Sequence, residues 1–437
     1  MQRRLTTLSL ASVTATVLLT SGCISGSGGS PGADGAATTA APGEKVALTF
    51  SSYAFQDLTV KATQNIVDTW NAANPDIHVD YQKVDPNSVH DKLVTQFAGN
   101  QAPDIIHDES ADIAGFSSQG FLADLTPLLP ADLKSDVPAS VWKTTTFNGK
   151  ITGVPTIAQV YNVFANTDVL QKAGIPLPTT AAPWTWDDLA VNAKKLTTGG
   201  DVYGFAWGLK SPTAGLMSSG LSYDGTFFSG DESKPSIDVG AKEMEVPTRV
   251  KKMLDDKVMA PNSISLSGTD VLPGFFGGKY GLVMAGNYVE AQIEAKAPAG
   301  FSWTMLPLLK GTSQNQAAGP QTLSIARQSK HPAEAMKFIA YFMKADNLAK
   351  VAEGDALIPV TTSASAIVKK DLAGKHGWDN ILGASANLVD SPWNKATKFP
   401  QWKSETATPA YQEYLAGKID AAALQQRLKD GWTKISG

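Results

Sequence analysis

The sequence predicts a secreted, tethered, two-lobed α/β protein. Three observations predict it. The amino terminus is a short basic and apolar leader; a run of small residues follows; the remaining body alternates strand-like and helix-like periodicities. The 437 residues allow two or three domains of ordinary size. With 43% hydrophobic and 18% charged residues the chain can bury a core. A net charge of −4 without a basic stripe excludes a binder of nucleic-acid backbones. A single cysteine excludes a disulfide framework and a cysteine-built zinc site. The five histidines are scattered, so no metal and no cofactor is expected.

In chain order, Arg3 and Arg4 form the positive start of the leader, and Leu8 to Thr20 is its apolar stretch. Thirteen residues are too few to cross a bilayer core of about 30 Å as a helix. Ser21, Gly22 and Cys23 then resemble a bacterial lipobox, with Thr20 where leucine is usual. That resemblance implies cleavage after residue 22, lipid on the Cys23 sulfur and anchoring on the outer face of the cell membrane. The removed segment holds two arginines and no acid, so cleavage takes the net charge from −4 to −6. Residues 24–43 carry one charge and no large apolar group beyond Ile24, so they read as a tether. A flexible chain of that length spans about 25 Å on average.

The body opens with Val46, Leu48 and Phe50 alternating as a strand. Leu58, Ala62, Ile66 and Trp70 recur every four residues as a helical stripe, stopped at Asn74-Pro75. Ile77, Val79 and Tyr81 alternate as a second strand. Val89, Leu93 and Phe97 line a second helix, with Gly99 as its cap. Ile105-Ile106 is the centre of a third strand. A β-α-β-α-β run builds a parallel sheet, whose ligands bind beyond the carboxyl ends of the strands. The loops Ser51–Asp57 and His107–Asp112 are therefore candidate binding loops.

Further motifs follow in order. Gly99 to Ile106 reads G-x-x-x-P-D-I-I. Asn148 to Pro155, Asn166 to Gly174, Trp184 to Leu189, Phe276 to Tyr288, Leu323 to Ile325 and His331 to Ile339 come after it. Together, from about residue 46 to 360, they resemble the family-1 extracellular solute-binding proteins, the sugar-binding components of ABC importers. Tyr288 stands where the family's "M-x-G-x-W" stretch carries tryptophan.

The resemblance implies a periplasmic-binding-protein-like fold. One lobe would comprise 44–157 plus 320–358 and the other 158–319 plus 359–437, with a ligand cleft and hinge crossings between them. It implies a monomer that captures a sugar or oligosaccharide, closes over it and delivers it to the permease subunits of an ABC transporter, with no bond broken.

A sugar asks for carboxylates and amides against its hydroxyls and for flat rings against its CH faces. Micromolar affinity needs about 8 kcal/mol, so several such contacts must act together. The candidates are Tyr53 and Gln56 after the first strand, and Asp108 and Glu109 after the third. Gln159 and Tyr161 follow Val154-Pro155, Trp207 lies in an alternating strand, and Tyr288 follows a glycine. Gln321 follows Gly319-Pro320, and Asp355 precedes Ile358-Pro359. His107 and Asp112 share the acidic loop and are weaker candidates, as is Phe55. For the acidic loop the alternative is a helix start with carboxylates offsetting its dipole. Trp378, Trp393 and Trp402 read chiefly as packing residues.

The candidate loops hold acids and amides but no arginine, which favours a neutral sugar over a phosphorylated one. No P-loop, G-x-S-x-G or H-E-x-x-H occurs, and Ser140-x-x-Lys143 stands without its partner motifs. The alternative function is a membrane-tethered glycoside hydrolase, which needs two acids facing each other across the scissile bond. Neighbours on one strand, such as Asp108 and Glu109, point apart.

Overall fold

The computed structural model describes residues 43–86, 88–231 and 234–437. The leader and nearly all of the tether, with Cys23, lie outside the described residues. Among those described, no helix is long and apolar enough to cross a membrane.

The first five elements follow the expected order: β1 (Val46–Ser52), α1 (Asp57–Ala73), β2 (Ile77–Lys83), α2 (Val89–Ala98) and β3 (Ile105–Glu109). β1 pairs in parallel with β2 on one side and β3 on the other. α2 buries Val89, Leu93 and Phe97 as its spacing predicts. Gly99 occupies its C-cap with φ of −87°, and the left-handed residue is Asn100, at φ 52°.

The stripe of α1 is rotated from expectation. Leu58 is 62% exposed, and the buried face is Thr59, Thr63, Ile66, Val67 and Trp70. The cause is a close approach of the helix Ala345–Asp355, where a Cβ at Gly354 would lie 2.7 Å from the Thr59 nitrogen. Only a small, polar-tipped face fits there.

The acidic segment is not a loop. β3 continues to Glu109, and α3 (Ser110–Ser118) starts at the next residue. The strand Pro320–Ile325 runs antiparallel to β3 and pairs Gln321 with Glu109, which holds the backbone extended two residues past Ile106 and His107. This strand completes a six-stranded sheet in the order Ile358–Pro359, Val154–Ala158, Pro320–Ile325, β3, β1, β2.

A four-stranded sheet is ordered Trp303–Met305, Tyr161–Asn166, Tyr280–Gly286, Tyr203–Trp207. Its strands are apolar on both faces, as sheets covered on both sides are. Val163, Phe205 and Leu282 face a core shared with Trp402, Tyr411, Leu424 and Leu428 of the C-terminal helices. Phe164, Ala206 and Val283 face the other way. Trp378, Trp393 and Trp402 are buried; Trp378 donates to Glu290 and Trp402 to the Leu428 carbonyl.

The chain passes from the larger sheet to the smaller within two residues, since Ala158 ends one strand and Tyr161 begins another. Amide side chains clamp this passage. Gln316 accepts from Tyr161 N at 2.8 Å and donates to Tyr161 O at 2.7 Å. The buried Asn287 accepts from Val160 N at 3.0 Å and donates to Ala356 O at 2.7 Å.

Candidate functional site

The parallel strands bring their carboxyl ends toward one cleft of about 680 Å³. Tyr53 follows β1, Glu109 ends β3, Trp207 ends its strand, and Tyr288 lies two residues past Gly286. Gln159 and Tyr161 come from the passage between the sheets. Gln321 comes from the antiparallel strand beside β3, and Asp355 from the end of its helix. All of these expected residues line the cleft.

Gln56 and Asp108 do not line it. Gln56 spends its amide on two carbonyls, Tyr288 O at 3.3 Å and Asp355 O at 3.2 Å. Asp108 is 1% exposed, because successive strand residues face opposite sides and the cleft takes Glu109. One oxygen of Asp108 accepts from Glu109 N at 2.8 Å, and burial together with Asp112 pushes its pKa well up. Asp112 and His90 pair on the α3 side at 3.2 Å.

The floor below Glu109 is a polar network. Ser52 Oγ and His107 Nδ1 are 2.8 Å apart, and Gln321 donates to Asp355 Oδ2 at 3.3 Å. Thr59 donates to Asp355 Oδ1 at 2.5 Å. Burial raises the Asp355 pKa, opposed by these two donors. Burial lowers that of His107 to about 4, so the imidazole is neutral at physiological pH. Glu109 is open to the cleft on one side and enclosed on the others. Desolvation raises its pKa, Lys403, which lines the same cleft, opposes the rise, and Asp112 adds to it.

Glycines set the aromatic wall. A Cβ at Gly286 would lie 2.6 Å from Tyr288 Cε1 and 2.8 Å from Gln159 Nε2, and one at Gly268 would lie 2.6 Å from the Tyr288 hydroxyl. A Cβ at Gly215 would meet Trp207 Cζ2 at 2.8 Å and Tyr161 Cε1 at 3.3 Å. Desolvation raises the phenol pKa values of Tyr53, Tyr161 and Tyr288. Each hydroxyl therefore remains protonated, both donor and acceptor.

Sequence reasoning missed the wall supplied by the C-terminal segment: Trp393, Asn394, Phe399 and Lys403. It also missed Lys210 and Gln292. Trp393 was visible as part of an aromatic-rich stretch. For Lys403 no spacing or motif pointed to the cleft, since what brings it there is packing more than a hundred residues from the nearest expected contact on the smaller sheet.

The chain's residues 54–349 match the family model described as bacterial extracellular solute-binding protein. It is 38% identical over 408 residues to an uncharacterized lipoprotein in the oleD 5′ region of Streptomyces antibioticus, covering 92% of this chain and 86% of that one. It is 27% identical to the arabinooligosaccharide-binding protein of Bacillus subtilis over 67% of this chain and 68% of the relative. The sugar-binding protein MalE of Xanthomonas citri superposes with a TM-score of 0.78 at 20% identity, covering 90% of this chain and 97% of that one. At that identity the likeness establishes the two-lobed fold alone. On the family match and the lipoprotein relative together, this chain belongs to the bacterial extracellular solute-binding proteins.

Proposed function

We propose that the protein captures a neutral sugar or oligosaccharide in the cleft and delivers it to the permease subunits of an ABC transporter, held at the membrane through lipid on Cys23. One observation carries the reading. Aromatic rings from the smaller sheet, Tyr161 and Trp207, and from the turn after its strand Tyr280–Gly286, Tyr288, share one cleft with Glu109, Gln321 and Asp355 of the larger sheet's side. Flat rings take the CH faces of a sugar, while carboxylates and amides take its hydroxyls. The relative named for arabinooligosaccharide binding supports the same class.

We assign residues 44–157 plus 320–358 to one lobe and 158–319 plus 359–437 to the other. Within that second set we count the helix Thr362–Leu372 with the first lobe, on which it packs through Ala364 and Val368 and where Ser363 N donates to Asp136 Oδ1 at 3.0 Å. A ligand that touches both lobes favours the closed form, and closure is the signal the permease reads.

The test is a thermal-shift screen with maltose, maltotriose, arabinobiose and arabinotriose. A saccharide at a hundred times its Kd adds about 2.7 kcal/mol to the folded state and raises the melting temperature by several degrees. No shift with any member removes the saccharide reading. New reducing ends released during the incubation favour the tethered glycoside hydrolase instead. That alternative gains little from the geometry, because Asp108 is buried behind Glu109 and the Asp355 oxygens are already hydrogen-bonded.

For the anchor, Cys23→Ala removes the acceptor sulfur. Fractionation of cells producing this variant is expected to move the protein from membranes to the soluble extracytoplasmic fraction; retention in membranes excludes Cys23 as the anchor.

A further inference from the structure

Lys403 and Glu109 enter the same cleft from different parts of the chain. Glu109 is the last residue of β3 in the six-stranded sheet. Lys403 begins a π-helical turn, Lys403–Ala407, in the C-terminal segment that packs on the smaller sheet. Such turns are rare and concentrate at functional sites.

This one is held from both sides. Trp402, fully buried, donates to the Leu428 carbonyl at 3.0 Å, and Thr406 presses on Gly431, where a Cβ would lie 2.2 Å from Thr406 Cγ2. The Lys403 backbone is thus held beside the cleft by buried neighbours. Even so, neither the Lys403 ammonium nor the Glu109 carboxylate has a hydrogen bond or ion pair among the described residues. Two opposite charges face one cleft without meeting, close enough that Lys403 stabilises the ionised Glu109.

We propose that Glu109 and Lys403 form a charge clamp completed by the ligand, the carboxylate accepting from one hydroxyl and the ammonium donating to a neighbouring oxygen, with each drawn to the other as the lobes close. This rests on the saccharide-capture reading above and adds a specificity-determining residue, Lys403, to it. The clamp selects a ligand with adjacent oxygens, one free to donate a hydrogen. Replacing the first oxygen's hydrogen with a methyl group leaves Glu109 without its donor. A carboxylate shut into the closed cleft without a donor is costly, so the clamp rejects methylated and deoxygenated analogues more than it favours the parent.

The experiment is a double-mutant cycle on the full-length protein, with Glu109→Gln, Lys403→Gln and the pair. Affinity is measured by calorimetry for whichever of maltotriose or arabinotriose gives the larger wild-type thermal shift. Unfolding midpoints are measured without saccharide. Each single variant is expected to weaken binding about tenfold, and the double variant about tenfold to twentyfold rather than a hundredfold. Lys403→Arg is expected to stay within about threefold of wild type, since it keeps the charge. Without saccharide, the coupling read from the midpoints is expected to be small beside that read from affinity, because the two groups attract through the cleft but share no hydrogen bond or ion pair.

A hundredfold loss in the double variant, or unchanged affinity in Lys403→Gln, overturns the clamp. So does coupling that appears in the saccharide-free midpoints and not in affinity, which marks an ordinary ion pair. If no saccharide of the four-member panel shifts the wild-type melting temperature, the capture reading fails and the clamp falls with it. A null cycle with saccharide bound leaves capture standing.

Discussion

Tyr288→Ala is expected to weaken saccharide binding at least tenfold while leaving the protein folded. The ring is held against Gly286, with its hydroxyl against Gly268, and lines the cleft beside Gln159. Burial keeps the phenol protonated, so the ring offers a stacking face together with a hydrogen bond. A stack contributes about 0.5–1.5 kcal/mol and a hydrogen bond about 1 kcal/mol, and about 1.4 kcal/mol is tenfold in affinity. The fold should tolerate the change because the Gln56 bond goes to the Tyr288 carbonyl, which alanine retains. Tyr288→Phe separates the parts, keeping the stack and losing the hydroxyl. Calorimetry on both variants with the strongest saccharide of the panel decides the matter; unchanged affinity in Tyr288→Ala places the ring outside the site.

Acid is expected to destabilise the wild type more steeply than His107→Gln. Desolvation holds the folded His107 pKa near 4, against an ordinary value of 6.5, with Gln321 opposing the shift. The folded-state pKa is the lower one. Between pH 6.5 and about 4 the unfolded chain therefore takes up a proton that the native floor refuses, and stability falls as pH falls. The full effect of such a shift is about 3 kcal/mol. Asp355 and Asp108 act with the opposite sign, since burial raises their pKa values and acid relieves the penalty. The informative quantity is accordingly the difference between the two proteins. Denaturant unfolding of both from pH 7 to pH 4 should show wild-type stability minus variant stability falling as pH drops, whatever its value at pH 7. Parallel curves mean that His107 titrates as it does in water.

The motifs that reveal the family are folding devices for the most part. Asp104 of the Pro-Asp motif accepts from Thr49 N and Thr49 Oγ1, each at 2.9 Å, and from Ser329 Oγ at 2.6 Å, which ties β1, β3 and the chain after Ile325 together. Asn166 caps the helix Thr167–Lys172 by accepting from Val169 N at 3.1 Å. Thr185 and Asp188 close a capping box at the start of Trp186–Leu196. Such signals are local and repeat in a recognisable order, so the sheet, its helices and the family were readable from the chain. The rotated face of α1 was not, because Gly354 lies 295 positions from Thr59 and its lack of a side chain decides which face of α1 packs.

Ligand-facing side chains divide the same way. Tyr53, Glu109, Trp207 and Tyr288 were legible because they stand at or just beyond carboxyl ends of strands, a place that β-α alternation defines. Asp108 and Glu109 carry the same charge and adjoin, so choosing between them required the side of the strand that faces the cleft, which pairing with Gln321 establishes. Gln56 occupies a plausible loop, yet two carbonyls brought from residues 288 and 355 take up its amide.

By itself, then, the amino-acid order determined the alternating elements and the family, since each depends on residues close together along the chain, and it alone supplies the grounds on which Cys23 is proposed as a lipid acceptor. Tertiary structure alone decided which of two neighbouring acids meets the cleft, that His107 is buried and neutral, and that Lys403 lines the same cleft as Glu109. The physical reason is that desolvation and charge act through space, and their strength is set by what distant segments pack against the group.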